Sequence, residues 1–352
     1  MNHLERLVEQ AKGSELFTSP RLADDMRRFL ATHQDRIREL ARDAHGRGIR
    51  TVYFMGAGGS WSAMYLGKYL ADRFTTLTTD AILSYDLIWR NPRRLGADSL
   101  VFCASYSGGT EDTLAALRHA KAAGARTVAV VSKADSAIGS EADEVIGYDA
   151  TALYNLPMAA VSLFALEWAR LEGNGDADEV IAGFDALPDL IADAYVSTQA
   201  RGEELARDFL PAQLLYGLGS GPLYGLAYKF ALTVFMENIR THGAFIESAE
   251  FRHGPAEALE RQRPEMIYLL GTDESRPLVE RSLEVARSRG AHVATFDARD
   301  YAGLHPLLSA FVLKVPLQWF VVYSALIRGI DDLDERVLMG KQILASGGAT
   351  WP

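Results

Sequence analysis

Met55-Gly56-Ala57-Gly58-Gly59-Ser60 is the stretch that decides the fold of this 352-residue chain, because the same kind of turn occurs twice. The second copy reads Tyr216-Gly217-Leu218-Gly219-Ser220-Gly221, 161 positions further on. Each copy follows a short apolar run and opens an amphipathic stretch. This is the layout of a strand, a tight turn and a helix whose N-terminus can hold an anion. The duplication predicts two related α/β halves around a small anionic ligand.

Apolar runs of strand length alternate with helix-like segments in both parts of the chain. Strand candidates are 51–55, 81–83, 100–104, 127–131, 214–216, 266–270 and 292–296, and helix candidates are 20–45, 61–74, 110–123, 152–171, 177–209, 222–241, 276–289 and 307–328. This alternation predicts an α/β fold with doubly wound parallel sheets. We expect a helical N-terminal arm at 1–48, a first domain at 49–175, and a second domain with a C-terminal tail at 176–352.

Composition narrows the class of protein. The formal net charge is −10 and no long basic run occurs, which argues against a nucleic-acid partner. Cys103 is the only cysteine, so an intrachain disulfide is excluded and a reducing compartment is indicated. The N-terminal stretch lacks the apolar core of a signal peptide. The late apolar stretch 311–327 contains Lys314, Pro316 and Gln318, which predicts a buried helix and not a membrane span. We expect a cytoplasmic protein.

The two glycine turns invite a dinucleotide-binding interpretation, which the residues do not support. A Rossmann fingerprint needs glycine at the sixth position of G-x-G-x-x-G, where this chain has Trp61 in the first copy and Pro222 in the second. A Walker A loop is also absent from the sequence. A structural alternative is that these glycines only allow close packing of strand and helix.

A turn rich in hydroxyl groups follows the strand candidate that ends at Ala104. It reads Ser105-Tyr106-Ser107-Gly108-Gly109-Thr110. Hydroxyls, free N–H groups and a helix dipole converge here, which suits a phosphate monoester held by neutral donors. Ser60, at the end of the first glycine turn, offers a further hydroxyl. The structural alternative is an N-cap in which Ser107 or Thr110 satisfies the first turn of the helix.

The acid–base candidates lie in the second half of the chain. An apolar stripe with helical spacing runs from Leu223 to Val234, and its continuation falls on Glu237. Burial there should raise the pKa of the Glu237 carboxyl toward a value useful for moving a carbon-bound proton. Sixteen residues later, His253 precedes the tight turn Gly254-Pro255. The alternatives are a glutamate that bonds neighbouring groups and a structural histidine.

The segment from Glu237 to Pro255 resembles the catalytic stretch of the sugar isomerase (SIS) domains, in particular the isomerase half of glucosamine-6-phosphate synthase and the fructosamine-6-phosphate deglycases. The family pattern places a Glu on a helix, a His five residues on, and then Glu-x-x-His-Gly-Pro. Here these are Glu237, His242 and Glu250-Phe251-Arg252-His253-Gly254-Pro255. The turn at 105–110 matches the family's Ser-x-Ser-Gly-x-Thr phosphate loop. The likeness covers about residues 30 to 345.

The C-terminal tail departs from the family signature Asp-x-Asp-x-Pro-Arg-x-Leu-x-Lys. This chain has Asp332-Leu333-Asp334-Glu335-Arg336-Val337-Leu338-Met339-Gly340-Lys341, in which the proline is missing and the spacing is shifted. The resemblance implies that Lys341 is the active-site lysine. The alternative is a solvated lysine of the tail.

The resemblance implies two flavodoxin-like SIS domains and a phosphosugar enzyme that needs no metal or organic cofactor. Glu237 would move a proton between C1 and C2 through an enaminol, so that the bond from C1 to nitrogen becomes an imine that water cleaves. His253 would open the sugar ring. In the family this histidine comes from a neighbouring subunit, which implies a homodimer. The implied phosphate ligands are Ser60, Ser105, Ser107 and Thr110, and further substrate-site candidates are Gly58, Gly59, Tyr106 and Glu250.

The activity implied first is a deglycase that splits a 6-phospho ketosamine into a hexose 6-phosphate and an amine or amino acid. An aldose–ketose phosphosugar isomerase or an amino-sugar-phosphate deaminase would use the same residues. A non-catalytic regulator that senses sugar phosphates is a third reading, but such regulators usually carry a helix-turn-helix domain. The chain lacks an N-terminal cysteine nucleophile. Release of ammonia from glutamine is therefore not expected.

Overall fold

The described part of the chain, residues 1–152 and 154–335 of a computed structural model, contains two parallel β-sheets. In chain order the strands are β1 (Thr51–Gly56), β2 (Thr78–Leu83), β3 (Ser99–Ser105), β4 (Arg126–Val131), β5 (Glu144–Gly147), β6 (Leu214–Gly219), β7 (His242–Glu247), β8 (Glu265–Leu270) and β9 (His292–Asp297). The first sheet has the order β2-β1-β3-β4-β5 and the second has the order β7-β6-β8-β9. All neighbouring strands are parallel. The predicted doubly wound α/β fold is confirmed.

Helices cover the sheets and join them. They are α1 (His3–Ala11), α2 (Ser19–Gly46), α3 (Gly58–Phe74), α4 (Ser84–Arg90), α5 (Glu111–Ala122), α6 (Ala137–Glu141), α7 (Asn155–Leu171), α8 (Asp176–Gly183), α9 (Leu187–Ser197), α10 (Gln199–Asp208), α11 (Tyr224–Tyr228), α12 (Arg276–Ser288) and α13 (Ser309–Ile327). The segment predicted as one helix over 177–209 is three helices, because the chain bends after Gly183 and restarts with Pro188 in the first turn of α9.

The edge strands β5 and β7 were not predicted from the sequence. β5 has four residues, and every residue of β7 remains at least partly accessible. Edge strands pack on fewer neighbours than central strands, so their sequences lack the continuous apolar runs of β1, β3 and β4. Their pattern therefore resembles loops when only the sequence is read.

Two helices form the centre of the molecule. In α7 every residue from Asn155 to Ala169 is buried, and in α13 every residue from Ser309 to Leu326 is buried. The first packs against α2 and α3, and the second packs against α9 and α10. One helical stretch, Pro306–Ile327, is long and apolar enough to cross a membrane, and 94% of its most apolar window is buried inside the protein. The expected burial of this helix is confirmed.

Strand order positions the hydroxyl-rich turn beside the first glycine turn. The chain runs from β1 to β2 on one side of the sheet, then returns to place β3 on the other side of β1. Ligands of open α/β sheets bind at such a reversal, outside the carboxyl ends of the strands. Here the reversal lies between Gly56, which ends β1, and Ser105, which ends β3. The sheets span 51–147 and 214–297, and the domain limits at 49–175 and 176–352 stay predictions.

Candidate active site

A cavity of about 470 Å³ lies at this edge of the first sheet and is closed by residues from distant parts of the chain. Seven of the predicted site residues line it, namely Gly58, Gly59, Ser60, Tyr106, Ser107, Thr110 and Glu237. Ser105 is buried next to it and bonds to Thr110. Glu250 and His253 are not among the lining residues, and Lys341 lies outside the described residues. The fold thus brings together the predicted phosphate ligands and the predicted base.

The hydroxyl-rich turn is held in shape by its own hydrogen bonds. The hydroxyls of Ser105 and Thr110 lie 2.6 Å apart, and Ser105 Oγ accepts a bond of 3.1 Å from the backbone N–H of Gly108. Gly108 has φ +64°, and a Cβ on it would lie 2.1 Å from Ser136 Oγ, so only glycine fits here. Thr110 stands at the N-cap of α5 without donating or accepting a capping bond to its first turn.

The start of α3 is likewise left without a side-chain cap. Its N-cap is Ala57, whose side chain cannot form a hydrogen bond, and Gly58 follows with φ +50°. Two helices, α3 and α5, therefore direct uncapped N-termini and their partial positive charge toward one cavity. This arrangement argues against the simple N-cap alternative and suits an anionic group bound between the two turns.

Glu237 reaches the cavity by a route that helical periodicity did not predict. The predicted helix over 222–241 is a short turn at Gly221–Leu223, then α11, then a π-helix at Lys229–Ile239. The backbone N–H of Arg240 bonds to the carbonyl of Phe235, five residues back. Wider turns rotate later residues away from a 3.6-residue stripe. The expected burial of Glu237 is therefore wrong for the single chain: its side chain is exposed while lining the cavity.

His253 lies on the surface of the chain. It ends a short helical turn at Phe251–His253, and its Nε2 atom accepts a hydrogen bond of 3.0 Å from Arg252 Nε. The next residue, Gly254, has φ +144°, which confirms the predicted tight turn. Glu250, at the start of the same turn, is also exposed.

Two buried lysines in the cavity were missed by sequence reasoning. Lys229 is 6% exposed and Lys314 is 3% exposed, and both line the cavity. Burial lowers the pKa of the Lys314 ammonium to about 7, and the positive charges of Lys229 and Arg21 act in the same direction. Lys314 Nζ donates a hydrogen bond to the hydroxyl of Thr18. For Lys314, the signal available in the sequence was its position as a charged residue inside the most apolar helix.

The N-terminal segment forms one wall of the cavity and is tied to the end of the described chain. The carboxylate of Asp334 accepts bonds from the Ser14 hydroxyl at 2.6 Å and from the backbone N–H groups of Glu15 and Leu16 at 3.0 Å. On α13, Gln318 accepts from the backbone N–H of Ser19 at 2.9 Å. The first residues of the C-terminal tail are thereby fixed at the cavity.

A hydrogen bond between Tyr106 and Glu15 connects this wall to the hydroxyl-rich turn. The Tyr106 hydroxyl donates a hydrogen bond of 3.3 Å to Glu15 Oε2. Burial raises the pKa of Tyr106 to about 12, and the charge of Glu15 adds to that effect. Tyr106 therefore remains a protonated donor at physiological pH and helps to hold the wall in place.

Comparison with known proteins identifies the family. Residues 47–166 match the SIS domain. Fructoselysine 6-phosphate deglycase of Escherichia coli (strain K12) is 30% identical over 328 residues, which cover 93% of this chain and 96% of that protein. The chain belongs to the SIS domain family. Fructosamine deglycase FrlB of Bacillus subtilis (strain 168) is 32% identical over 270 residues, 75% of this chain and 82% of its own length.

The fold of this SIS protein also matches solved structures. A provisionally assigned phosphosugar isomerase from Salmonella typhimurium LT2 superposes with a TM-score of 0.81 at 27% sequence identity, over 88% of this chain and 96% of the other. The resemblance drawn from the Glu-x-x-His-Gly-Pro stretch and the phosphate loop is therefore confirmed at the level of the family.

Proposed function

We propose that this SIS protein is a phosphosugar deglycase that cleaves a 6-phospho ketosamine into a hexose 6-phosphate and an amine or amino acid. The similarity to two deglycases over most of the chain supports this reaction. The observation that carries the proposal is the cavity itself, in which a carboxylate from the second half faces a set of phosphate-type donors from the first half.

Substrate binding would begin at the phosphate end. The hydroxyls of Ser60, Ser107 and Thr110 line the cavity, and Ser105 supports the turn through Thr110 and Gly108. The uncapped starts of α3 and α5 add backbone N–H groups directed at the same region. These neutral donors can hold a phosphate dianion and fix the sugar carbon chain so that C1 and C2 lie near Glu237.

The carboxylate of Glu237 would act as the base. It removes a proton from C1 of the open-chain ketosamine while the C2 carbonyl accepts a proton, which gives an enaminol. Return of a proton to C2 leaves a double bond between C1 and nitrogen, and water adds to this imine. Collapse of the resulting carbinolamine releases the amine and leaves an aldehyde at C1. No redox partner is needed, because the oxidation at C1 balances the reduction at C2.

His253 would open the sugar ring as an acid–base group from a neighbouring subunit. Its exposed position outside the cavity supports a role across a subunit boundary. Glu250 shares the same exposed turn and would be presented with it. A homodimer with shared active sites follows from this assignment, and Lys341 remains a proposed active-site lysine. We also propose a cytoplasmic location, since the thiol of Cys103 is free and buried.

The test is a panel of 6-phosphorylated ketosamines carrying different amines, assayed for release of hexose 6-phosphate. Fructose 6-phosphate and glucosamine 6-phosphate serve in parallel to detect isomerase and deaminase activity. In deuterium oxide, the deglycase reaction should place deuterium on C2 of the hexose product. Glu237→Gln should bind the substrate and lose both turnover and deuterium incorporation, with a fall of at least ~100-fold. Activity on the isomerase or deaminase substrates alone would replace the proposal.

A further inference from the structure

The ammonium of Lys229 lies directly against the first glycine turn. A Cβ built on Gly59 would lie 2.6 Å from Lys229 Nζ, so the lysine side chain from the second half occupies the space that Gly59 leaves open. Lys229 Nζ also lies 5.3 Å from the centre of the Tyr154 ring. Gly59, Tyr154 and Lys229 all line the cavity. The contact therefore sets a cation at the edge of the predicted phosphate site.

This position suits an anion on two counts. Gly58 and Gly59 form the first turn of α3, where the N–H groups of the helix start carry a partial positive charge. The ammonium of Lys229 lies beside them and carries a full positive charge. An anion bound between Lys229 Nζ and the turn would interact favourably with both.

The repeat shows that the placement of Lys229 is specific to the second half. The 161-residue offset that aligns the two glycine turns also aligns Lys229 with Lys68. Lys68 lies on the outside of α3 and pairs with Asp72 one helical turn away. Its counterpart Lys229 is almost fully buried. The two lysines occupy equivalent sequence positions, but only one of them faces the cavity.

We propose that Lys229 binds the phosphate group of the substrate and supplies the positive charge that the hydroxyl-rich turn lacks. The phosphate would accept hydrogen bonds from Lys229 Nζ and from the hydroxyls of Ser60, Ser107 and Thr110, which line the same cavity. Charge-assisted bonds of this kind are about twice as strong as neutral ones. The assignment rests on the proposed phosphosugar function and adds a phosphate ligand from the opposite half of the protein.

The test measures binding of glucose 6-phosphate by calorimetry to wild type, Lys229→Met, Lys229→Arg and Lys68→Met. Lys229→Met should bind about 10- to 100-fold more weakly, since it loses a charged hydrogen bond. Lys229→Arg keeps the charge and should recover part of the affinity. Lys68→Met should match wild type. The affinity of wild type should also fall more steeply with added salt than that of Lys229→Met.

One result would overturn the assignment and differ from a failure of the proposed function: a folded Lys229→Met that binds glucose 6-phosphate as tightly as wild type. If that variant has also lost turnover, Lys229 acts at the reacting carbons and not at the phosphate. If Lys229→Met fails to fold, Lys229→Gln takes its place with the same expected loss. If wild type binds no hexose 6-phosphate at all, both the phosphosugar function and this assignment are wrong.

Discussion

The backbone of Gly225 packs directly on the backbone of Ser62, so closely that a Cβ on Gly225 would lie 2.5 Å from the carbonyl oxygen of Ser62. Gly225 belongs to α11 and Ser62 to α3, the helices that follow the two glycine turns. The contact holds the helices that follow the two glycine turns tightly against each other. It also sets the position from which the π-helix carries Lys229 and Glu237 toward the first sheet.

Gly225→Ala should therefore destabilise the protein, although alanine favours helices. Overpacking against a backbone atom costs about 1–3 kcal/mol, whereas the gain in helix propensity is at most ~1 kcal/mol. Urea unfolding should show a lower midpoint for Gly225→Ala. The matched control is Gly46→Ala at the end of α2, where a Cβ would meet nothing within 4 Å. Equal stability of the two variants would mean that the interhelix contact is not tight.

Loss of hydroxyls from the hydroxyl-rich turn should weaken binding of sugar phosphates and leave the fold intact. Ser107→Ala combined with Thr110→Val removes two donors that line the cavity. Each lost bond to a charged oxygen is worth ~1.5–3 kcal/mol. Calorimetry with hexose 6-phosphate is the measurement, and Ser288→Ala on the exposed end of α12 is the control. Undiminished affinity would place the phosphate elsewhere in the protein.

Mixed oligomers should restore activity if His253 acts across a subunit boundary. Glu237→Gln and His253→Ala are each expected to be inactive alone. A mixed dimer of the two variants contains one site with both native residues, so exchange should regenerate activity toward a quarter of the wild-type level. Exchange is followed by mass spectrometry. Confirmed exchange without recovery would locate both residues of each site in one chain.

Lys314 should make stability depend on pH in a defined window. Burial lowers its pKa from 10.5 to about 7, so between these values the unfolded chain holds a proton that the folded chain lacks. The contribution of Lys314 to the free energy of unfolding therefore rises with pH across that window. Below about pH 7 the lysine is protonated in both states, and its destabilising effect has its full value. Lys314→Met should therefore be more stable than wild type at pH 7 by on the order of a few kcal/mol. Its advantage should shrink toward pH 10.5 in urea unfolding series; a pH-independent difference would contradict the shift.

The ion pair between Arg276 and Asp297 should contribute strongly to stability. Both guanidinium NH groups bond to the carboxylate at 2.7 Å, and Arg276 is 6% exposed. Burial by itself would raise the pKa of Asp297, but the hydrogen bonds from Arg276 keep this pKa below the usual value. Asp297→Asn should cost about 3 kcal/mol, because the buried guanidinium loses its bidentate carboxylate partner and keeps only Glu280 and the carbonyl of Gly271. Glu141→Gln, which breaks the exposed pair with Arg118, should leave the melting temperature nearly unchanged in the same thermal melts.

Local signals in the sequence predicted much of the fold and many of the residues that line the cavity. The turns at 56–60 and 105–110 are runs of consecutive residues, so their recognition needs no knowledge of distant contacts. Parallel pairing of β1 with β3 then brings these turns together. The edge strands β5 and β7 were missed because their partly exposed residues lack long apolar runs.

The remaining site features depend on structure that has no local signal. The π-helix changes the number of residues per turn, so a stripe extrapolated from Leu223 predicted the wrong environment for Glu237. Lys229 and Lys314 approach the cavity from different helices. Their grouping follows from the packing of α13 against the π-helix at Lys229–Ile239, which the order of residues alone does not reveal.

The hydrogen bonds between Asp334 and the segment at Ser14 span 320 residues of sequence. A ribosome produces residue 14 long before residue 334, and the N-terminal half of a protein generally folds first. The wall of the cavity therefore cannot take its final form on the nascent chain until nearly all of the described residues have emerged. The cavity is therefore completed late in synthesis. A chain that stops before residue 334 would contain the hydroxyl-rich turn but would lack the contacts that close the cavity around it.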